Sequence, residues 1–407
     1  MGKLYRFAKR VYRYISKRGI SGVSDYINKV AAKTDVLKFY EYIVDEDTIE
    51  LDECEYKEHA NDQVKILNWI IPEMGVGSGG HINIFRFISN LEDMGFHSRI
   101  YLHRPDALKS DEKLHAFLKE HFSILDERVE SFSDLNDISF AHATIATSWN
   151  TAYFVRKFNN TISKFYFVQD FEPYFYAMGS EYEFAENTYH FGFRGITAGD
   201  WLKEKLHEEY GMETVSFGFS YDKDIYKPYE KKDEEKRVFF YARPVTPRRD
   251  FELGMLALNE LNKRVENLTV YFAGWDIENY EIPFKYKSFG ILNIEELSEL
   301  YAQCDMCFII SNTNLSLLPL EVMASNSVAV CSKGENSTWL VNEENSVLVD
   351  YDPIKIAEKM AYYFEHPQEL EVIRKNGLEF ASKTSWVIEA EKVRDALLKG
   401  IEEDAEK

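Results

Sequence analysis

Gly75, Gly77, Gly79 and Gly80 fall within six positions, between an apolar run and a segment with helical spacing. Glycine lets backbone come close to a bound phosphate or sugar. A helix starting there also turns its N–H groups and positive dipole end toward an anion. Gly75-Val-Gly-Ser-Gly-Gly80 spells the dinucleotide pattern G-x-G-x-x-G as well. Pro72-Glu-Met, however, lengthens the loop beyond the tight dinucleotide turn. The next strand candidate ends in His103-Arg104, where a dinucleotide fold would place an acid for the ribose hydroxyls. Arg104 leaves an NADP-binding reading open, and a tight turn without a ligand is the plain alternative. A second group is Arg243-Pro-Val-Thr-Pro-Arg248-Arg249, just past another apolar run. Guanidinium forks suit a diphosphate, because they donate paired hydrogen bonds and stay charged. The third group runs from Asn312 through Ser316, Leu317 and Leu318 to Glu321, a loop leading into a helix. Its N–H groups can hold an anion, and Glu321 in the first turn can accept both hydroxyls of a ribose. Cys304-Asp-Met-Cys307 is half a metal site at most, and neither a second cysteine pair nor an H-E-x-x-H accompanies it. No metal is expected, and no G-x-S-x-G nucleophile turn is present.

Each group sits where a strand would hand over to a loop. Lys65–Ile71, Ser98–His103, Ala141–Thr147, Lys164–Gln169 and Gly195–Ala198 read as strands, with helices over Ile82–Met94 and His115–Phe122. Residues 222–236 are mostly charged and read as a surface linker. The alternation then restarts with strands Arg237–Tyr241, Thr269–Phe272, Met306–Ile310 and Val328–Cys331. Helices are predicted over Asp250–Arg264, Ile294–Gln303, Pro319–Ala324 and Ile354–Phe364. Apolar strands alternating with helices predict an α/β chain with two doubly wound parallel sheets. The expected units are an extension over 1–61, a first domain over 62–221 and a second over 222–384. Residues 19–62 read as irregular.

Charge narrows the partners. The net formal charge of -21 disfavours nucleic acid, which needs a basic face. No apolar run reaches the roughly 20 residues that span a bilayer, and only four cysteines occur, so a cytoplasmic protein is expected. The first 18 residues are the exception, with seven basic residues and no acid. Leu4, Phe7, Ala8, Val11, Tyr12 and Ile15 share one helical face there, with Arg6, Arg10, Arg13 and Lys17 opposite. Such a helix suits an anionic membrane surface, and a helix docked on the acidic body is the alternative.

Taken together, these stretches resemble the retaining glycosyltransferases of family 4, which have the GT-B fold of two facing Rossmann-like domains. The resemblance covers about residues 64–398 and is most specific through YARPVTPRR, VYFAG, FGILNIEELSELYAQCDMCFII, SLLPLEVMASNSVAV and ENSVLVDYDP. PEMGVGSGGHINIF, YFVQDFEPYFY and YARPVTPR are similar to the bacterial S-layer-glycan rhamnosyltransferases. The resemblance implies that Gly79 and Gly80 lie against the donor and that Arg243 and Arg248 neutralise its diphosphate. Glu321 would bind the ribose, and amides around Ser316, Leu317 and Leu318 would hold phosphate and sugar. Gly290, Ile291 and Leu292 would border the base. Trp386 would begin a final helix, 385–407, that crosses back to complete the first domain. Asp170 and Glu172 are the carboxylates best placed to orient an acceptor hydroxyl, with a turn at Glu172-Pro173 as the alternative.

The implied activity is transfer of L-rhamnose from dTDP-β-L-rhamnose to a sugar hydroxyl of a growing, lipid-linked cell-surface glycan. It would proceed without a metal cofactor, at the inner face of the cell membrane. Two departures bear on this. The family's E-x7-E motif would begin at Thr313, which removes a carboxylate set against the donor sugar. The histidine that often precedes the aspartate, and touches a sugar 6-hydroxyl, is Gln169 here, which fits a 6-deoxy sugar. The rival readings are another nucleotide-sugar donor, a catalytically silent GT-B subunit and an NADP-dependent oxidoreductase. Deleting residues 1–18 is expected to release the protein from anionic vesicles, and binding by the full chain should weaken as salt rises. Co-sedimentation with vesicles at low and physiological salt measures this, and no binding by the intact chain would end the membrane reading.

Overall fold

Strands that are apolar on both faces must be covered on both faces, and the chain meets that demand twice. The computed structural model describes residues 35–126 and 128–407, so the basic segment 1–18 lies outside the described residues. The first sheet contains β1 (Ile66–Pro72), β2 (His97–His103), β3 (Glu130–Phe132), β4 (Ala141–Ala146), β5 (Thr161–Val168), β6 (Arg194–Ala198) and β7 (Thr214–Phe217). Their order across the sheet is β3-β2-β1-β4-β5-β6-β7, and every pairing is parallel. The second contains β8 (Arg237–Tyr241), β9 (Thr269–Ala273), β10 (Tyr286–Ser288), β11 (Met306–Ile309), β12 (Val328–Ser332) and β13 (Val347–Val349). These lie in the order β10-β9-β8-β11-β12-β13, again all parallel. Two doubly wound parallel sheets facing one another are the GT-B fold that the resemblance implies.

The short edge strands β3, β7 and β10 escape a reading by periodicity because they are three or four residues long and partly exposed. In both sheets the order reverses between two neighbouring strands, β1 and β4 in the first, β8 and β11 in the second. The loops leaving a reversal point diverge and open a crevice, which is where doubly wound sheets take ligands. All three residue groups singled out above lie on such loops. The helix after β1 begins at Gly79, three residues earlier than the apolar spacing predicts, because glycines carry no apolar signal.

Two segments differ from expectation. Within 35–62 the chain forms helices Val36–Phe39, Glu41–Val44 and Glu53–His59, where an irregular extension was expected. None buries a residue, so no apolar stripe announces them. The first and last are held by caps: Asp35 accepts from the Lys38 N–H, and Asp52 accepts from the Cys54 and Glu55 N–H groups. The charged segment 222–236 is also better anchored than a surface linker. Tyr226 is buried and stacks on Tyr301, and Asp222 pairs with the buried Arg86 of the first domain.

The final helix, Trp386–Ala405, lies against the first sheet. Ala390, Val393, Leu397, Gly400 and Ile401 form its buried stripe. Asp404 accepts from Ser163 at 2.6 Å and pairs with Arg194 at 2.9 Å, which fixes the helix end on β5 and β6. Gly400 permits the close approach, since a Cβ there would meet the Phe165 ring at 2.5 Å and Arg194 Cδ at 2.7 Å. Gly400→Ala is therefore expected to destabilise the first domain by about 1 to 3 kcal/mol through overpacking. A lower urea midpoint by tryptophan fluorescence checks this, and an unchanged midpoint would show that the helix can slide.

Candidate functional site

The crevice between the sheets encloses about 300 Å³ and is lined from both domains. Gly80, His81, Asn83, Ser148, Gln169, Asp170, Glu172 and Phe175 come from the first, Arg248, Arg249, Asn314 and Ser316 from the second. The loop after β1 is pinned by Glu73, whose carboxylate accepts from the N–H groups of Asp106 at 2.6 Å and Leu108 at 2.8 Å. Gly77 takes a positive φ of 69° in this loop, a conformation that favours glycine. A Cβ at Gly75, Gly77 or Gly79 would meet nothing within 4 Å, so the glycines border open space. Gly79 and Gly80 open helix Gly79–Asp93, and the first N–H groups of a helix have no partner within it.

Opposite stand the arginines. None of Arg243, Arg248 and Arg249 has a carboxylate oxygen within 4.0 Å among the described residues, although the chain is strongly acidic. Arg248 lies with its guanidinium carbon 4.3 Å from the Phe175 ring centre across the cleft, and its Nε is buried without a partner. Burial lowers its proton affinity, Asp170 opposes that, and Arg243 adds repulsion. Arg249 donates to the Asn314 carbonyl at 3.0 Å. Arg243 sits between the rings of Tyr241 and Trp275, at 5.9 and 5.7 Å. Desolvated guanidiniums that repel each other favour an incoming polyanion. The sequence flags Arg249 as part of the arginine run, and it lines the cleft beside Arg248, whereas Arg243 is not part of the lining.

The two candidate carboxylates do different things. Asp170 reaches across the cleft, where its Oδ2 accepts from the Asn314 N–H at 3.3 Å with the Thr313 side chain nearby, while its Oδ1 accepts from the Phe171 N–H at 2.9 Å. Burial raises its pKa above the ordinary value, against the pull of Thr313 and Arg248. Asn314 closes the bridge by donating to the Gln169 carbonyl at 2.8 Å. Glu172 is buried, with one oxygen accepting from the Trp149 N–H at 2.8 Å and the other from the Tyr166 hydroxyl at 2.8 Å. It thus caps helix Trp149–Lys157 beside Ser148, and its own backbone N–H donates to Tyr189 at 3.1 Å. Burial pushes the Glu172 carboxyl up to about 7.

The remaining expected residues spread around the second domain. Glu321 lies near Tyr226 and Arg86, and burial raises its pKa to about 7. The Ser316 N–H is taken by the Asn314 side chain at 2.6 Å, so it is occupied rather than free for phosphate. Leu317 and Leu318 are buried, and Leu318 opens helix Leu318–Ala324 with an N–H that has no intrahelical partner. Gly290 takes a φ of 62° and its carbonyl accepts from Gly274, while Ile291 is exposed and Leu292 is half-buried. Arg104 lies 4.7 Å over the Tyr42 ring, outside the cleft. Among the described residues no group of three or more His, Cys, Asp and Glu is placed to hold a metal.

Residues 236–361 match the family described as WsaF, C-terminal domain. Across 349 residues, 83% of the chain, the sequence is 30% identical to the O-antigen biosynthesis protein RfbC of Myxococcus xanthus. The chain spans 27% of that relative's length. Among solved structures, Anabaena HepE in complex with UDP and glucose is 14% identical, with 82% of this chain and 100% of that one covered and a TM-score of 0.62. TarM, known from S. aureus, is 10% identical over 83% and 99% of the two chains, with a TM-score of 0.67. These likenesses agree on the GT-B fold.

The raised Glu172 pKa has a signed consequence. Between its unfolded value near 4.5 and about 7, the unfolded chain loses the proton while the folded one keeps it, so this group's contribution to stability falls as pH rises. Glu172→Gln removes that loss. Its stability relative to the parent is expected to improve by about 1 to 3 kcal/mol from pH 4.5 to pH 8. Thermal melts of both proteins across that range check it, and a constant difference would refute a protonated Glu172.

Proposed function

We propose that the protein is a glycosyltransferase that moves a sugar from a nucleoside diphosphate to a hydroxyl of a growing cell-surface glycan. The observation that carries the reading is the pair Arg248 and Arg249, without carboxylate partners within 4.0 Å among the described residues, lining the same open cleft as a glycine-bordered helix start. A sugar leaving a diphosphate passes through an oxocarbenium-like state, and the catalytic requirement is to stabilise charge on the departing phosphates. Arg243, Arg248 and Arg249 are suited to that without a bound metal. Helix start Gly79–Gly80 adds dipole charge from the other domain. The name of the O-antigen relative and the UDP and glucose bound by HepE support the substrate class.

The finer reading is dTDP-β-L-rhamnose as donor, with retention at the transferred carbon and a lipid-linked or oligosaccharide acceptor. Residues 1–18 would bring the enzyme to an anionic membrane on the cytoplasmic side. Glu321 would accept from the ribose hydroxyls. Thr313 leaves the second domain without one carboxylate of the E-x7-E pair, and Asp170 takes that place from across the cleft. Asp170 is thus the group set against the donor sugar, and Glu172 positions Ser148 and the helix behind it.

Arg243→Ala and Arg248→Ala should each weaken dTDP binding about tenfold to a hundredfold and leave thymidine binding nearly unchanged. A charge-assisted contact is worth roughly 1.5 to 3 kcal/mol. Calorimetric titration with both ligands tests this, and equal losses for the two would mean that the arginines serve the fold alone.

A further inference from the structure

Beside the reaction cleft a second groove of about 570 Å³ runs between the two domains. Its walls are helix Asp200–Tyr210 of the first domain and the short turn Glu335–Thr338 of the second. Three rings line it: Tyr174, Trp201 and Trp339. Tyr174 belongs to the turn Glu172–Phe175, whose next residue, Phe175, lines the reaction cleft. One rigid turn therefore borders both spaces. Tyr174 is 42% exposed yet fixed edge-on against the buried Phe171, with ring centres 4.7 Å apart. Trp339 is fixed as well, by its Nε1 bond to the Asn336 carbonyl at 3.0 Å and by its packing on Phe219.

The polar groups in the groove are chosen with equal consistency. Lys205 is the single cation of the lining, and Glu209 pairs with it at 2.6 Å. Glu204, Glu208 and Glu335 are exposed and have no hydrogen bond or ion pair among the described residues. Free carboxylates beside fixed ring faces match a ligand with many hydroxyl donors and flat C–H faces, and they repel a polyanion. The reaction cleft has the opposite character, with unpaired cations suited to a diphosphate.

We infer that this groove is an extended binding site for a neutral oligosaccharide, which it holds so that one end reaches the reaction cleft past Tyr174 and Phe175. The inference rests on the glycosyltransferase reading and adds to it: the acceptor is recognised over several sugar units, and its held portion carries no phosphate or uronic acid.

The test is titration of the full chain with neutral rhamno-, malto- and chito-oligosaccharides, from disaccharide to hexasaccharide, and with anionic hyaluronan fragments of the same lengths. Each protein is also titrated with dTDP and UDP. At least one neutral series should bind more tightly as it lengthens, and the anionic fragments should not bind. Tyr174→Ala and Trp201→Ala should each weaken the longer neutral ligands about tenfold, the scale of a lost ring contact, and leave dTDP affinity unchanged. The surface double variant Glu204→Gln with Glu208→Gln, which puts no core packing at risk, should show the same selective loss. Failure of every neutral series to bind, equal binding by variants and parent, or equal binding of anionic fragments would overturn the groove assignment. If the parent binds no dTDP but binds UDP, only the dTDP donor reading fails, and if it binds neither, the glycosyltransferase reading itself fails, whatever the sugars do.

Discussion

Positive charge that the fold leaves uncancelled is the constraint around which the rest is organised. An acidic chain has carboxylates to spare, and it spends them freely on surface lysines and arginines elsewhere. Yet Arg248 and Arg249 line the cleft, with Arg243 on the same loop, and none of the three has a carboxylate oxygen within 4.0 Å among the described residues. Holding partly desolvated guanidiniums together costs free energy, because burial and mutual repulsion both penalise charge. The two sheets make that arrangement possible. Their reversal points put the arginine loop after β8 and the Asn312–Leu317 loop after β11 on one side, and the glycine loop after β1 on the other. Rings temper the cost: Phe175 lies under Arg248, and Tyr241 and Trp275 flank Arg243.

The same cleft needs its walls held at a fixed separation, and a single network at its base does much of that. Arg86 on helix Gly79–Asp93 is buried, pairs with Asp222 of the connecting segment and stacks over Trp386 of the final helix. Four residues on, Tyr226 lies close to Glu321 of the second domain. First domain, connection, second domain and final helix therefore meet within one cluster. Losing one partner of a buried ion pair typically costs about 3 to 5 kcal/mol, so the connection is far stiffer than its charged sequence suggests.

Much of the fold was legible because buried parallel strands write themselves as apolar runs. Lys65–Ile71 and Arg237–Tyr241 stand out in the sequence and coincide with β1 and β8 almost to the residue. What was not legible is what has no periodic signature. The capped helices within 36–59 bury nothing, and β3 and β10 are three-residue edges. At the site, residue types announced the arginines, the glycines and Glu321, since few chemistries need those types on loops after strands. Partnership is a tertiary fact and stayed hidden. No spacing rule pairs Asp170 with Asn314, 144 positions away, or spends both oxygens of Glu172 on Trp149 and Tyr166.

That contrast between the two carboxylates decides how the cleft divides its work. Glu172 has no free oxygen, holds its proton up to about pH 7 and is fixed among Tyr166, Tyr189 and the Trp149 helix. It can set the position of Ser148, but it cannot reach a substrate without breaking that network. Asp170, two residues away, divides its oxygens between the domains: Oδ1 accepts from the Phe171 N–H of its own domain at 2.9 Å, and Oδ2 accepts from the Asn314 N–H of the other. Oδ2, tied to the opposite wall by a single 3.3 Å bond, can be handed to a substrate when the cleft is occupied, because a substrate hydroxyl can replace what the Asn314 N–H supplies. The loss of an acid at position 313 is therefore coherent with the rest of the cleft. A second carboxylate there would face Asp170 at close range, and two like charges so placed would force one to take up a proton.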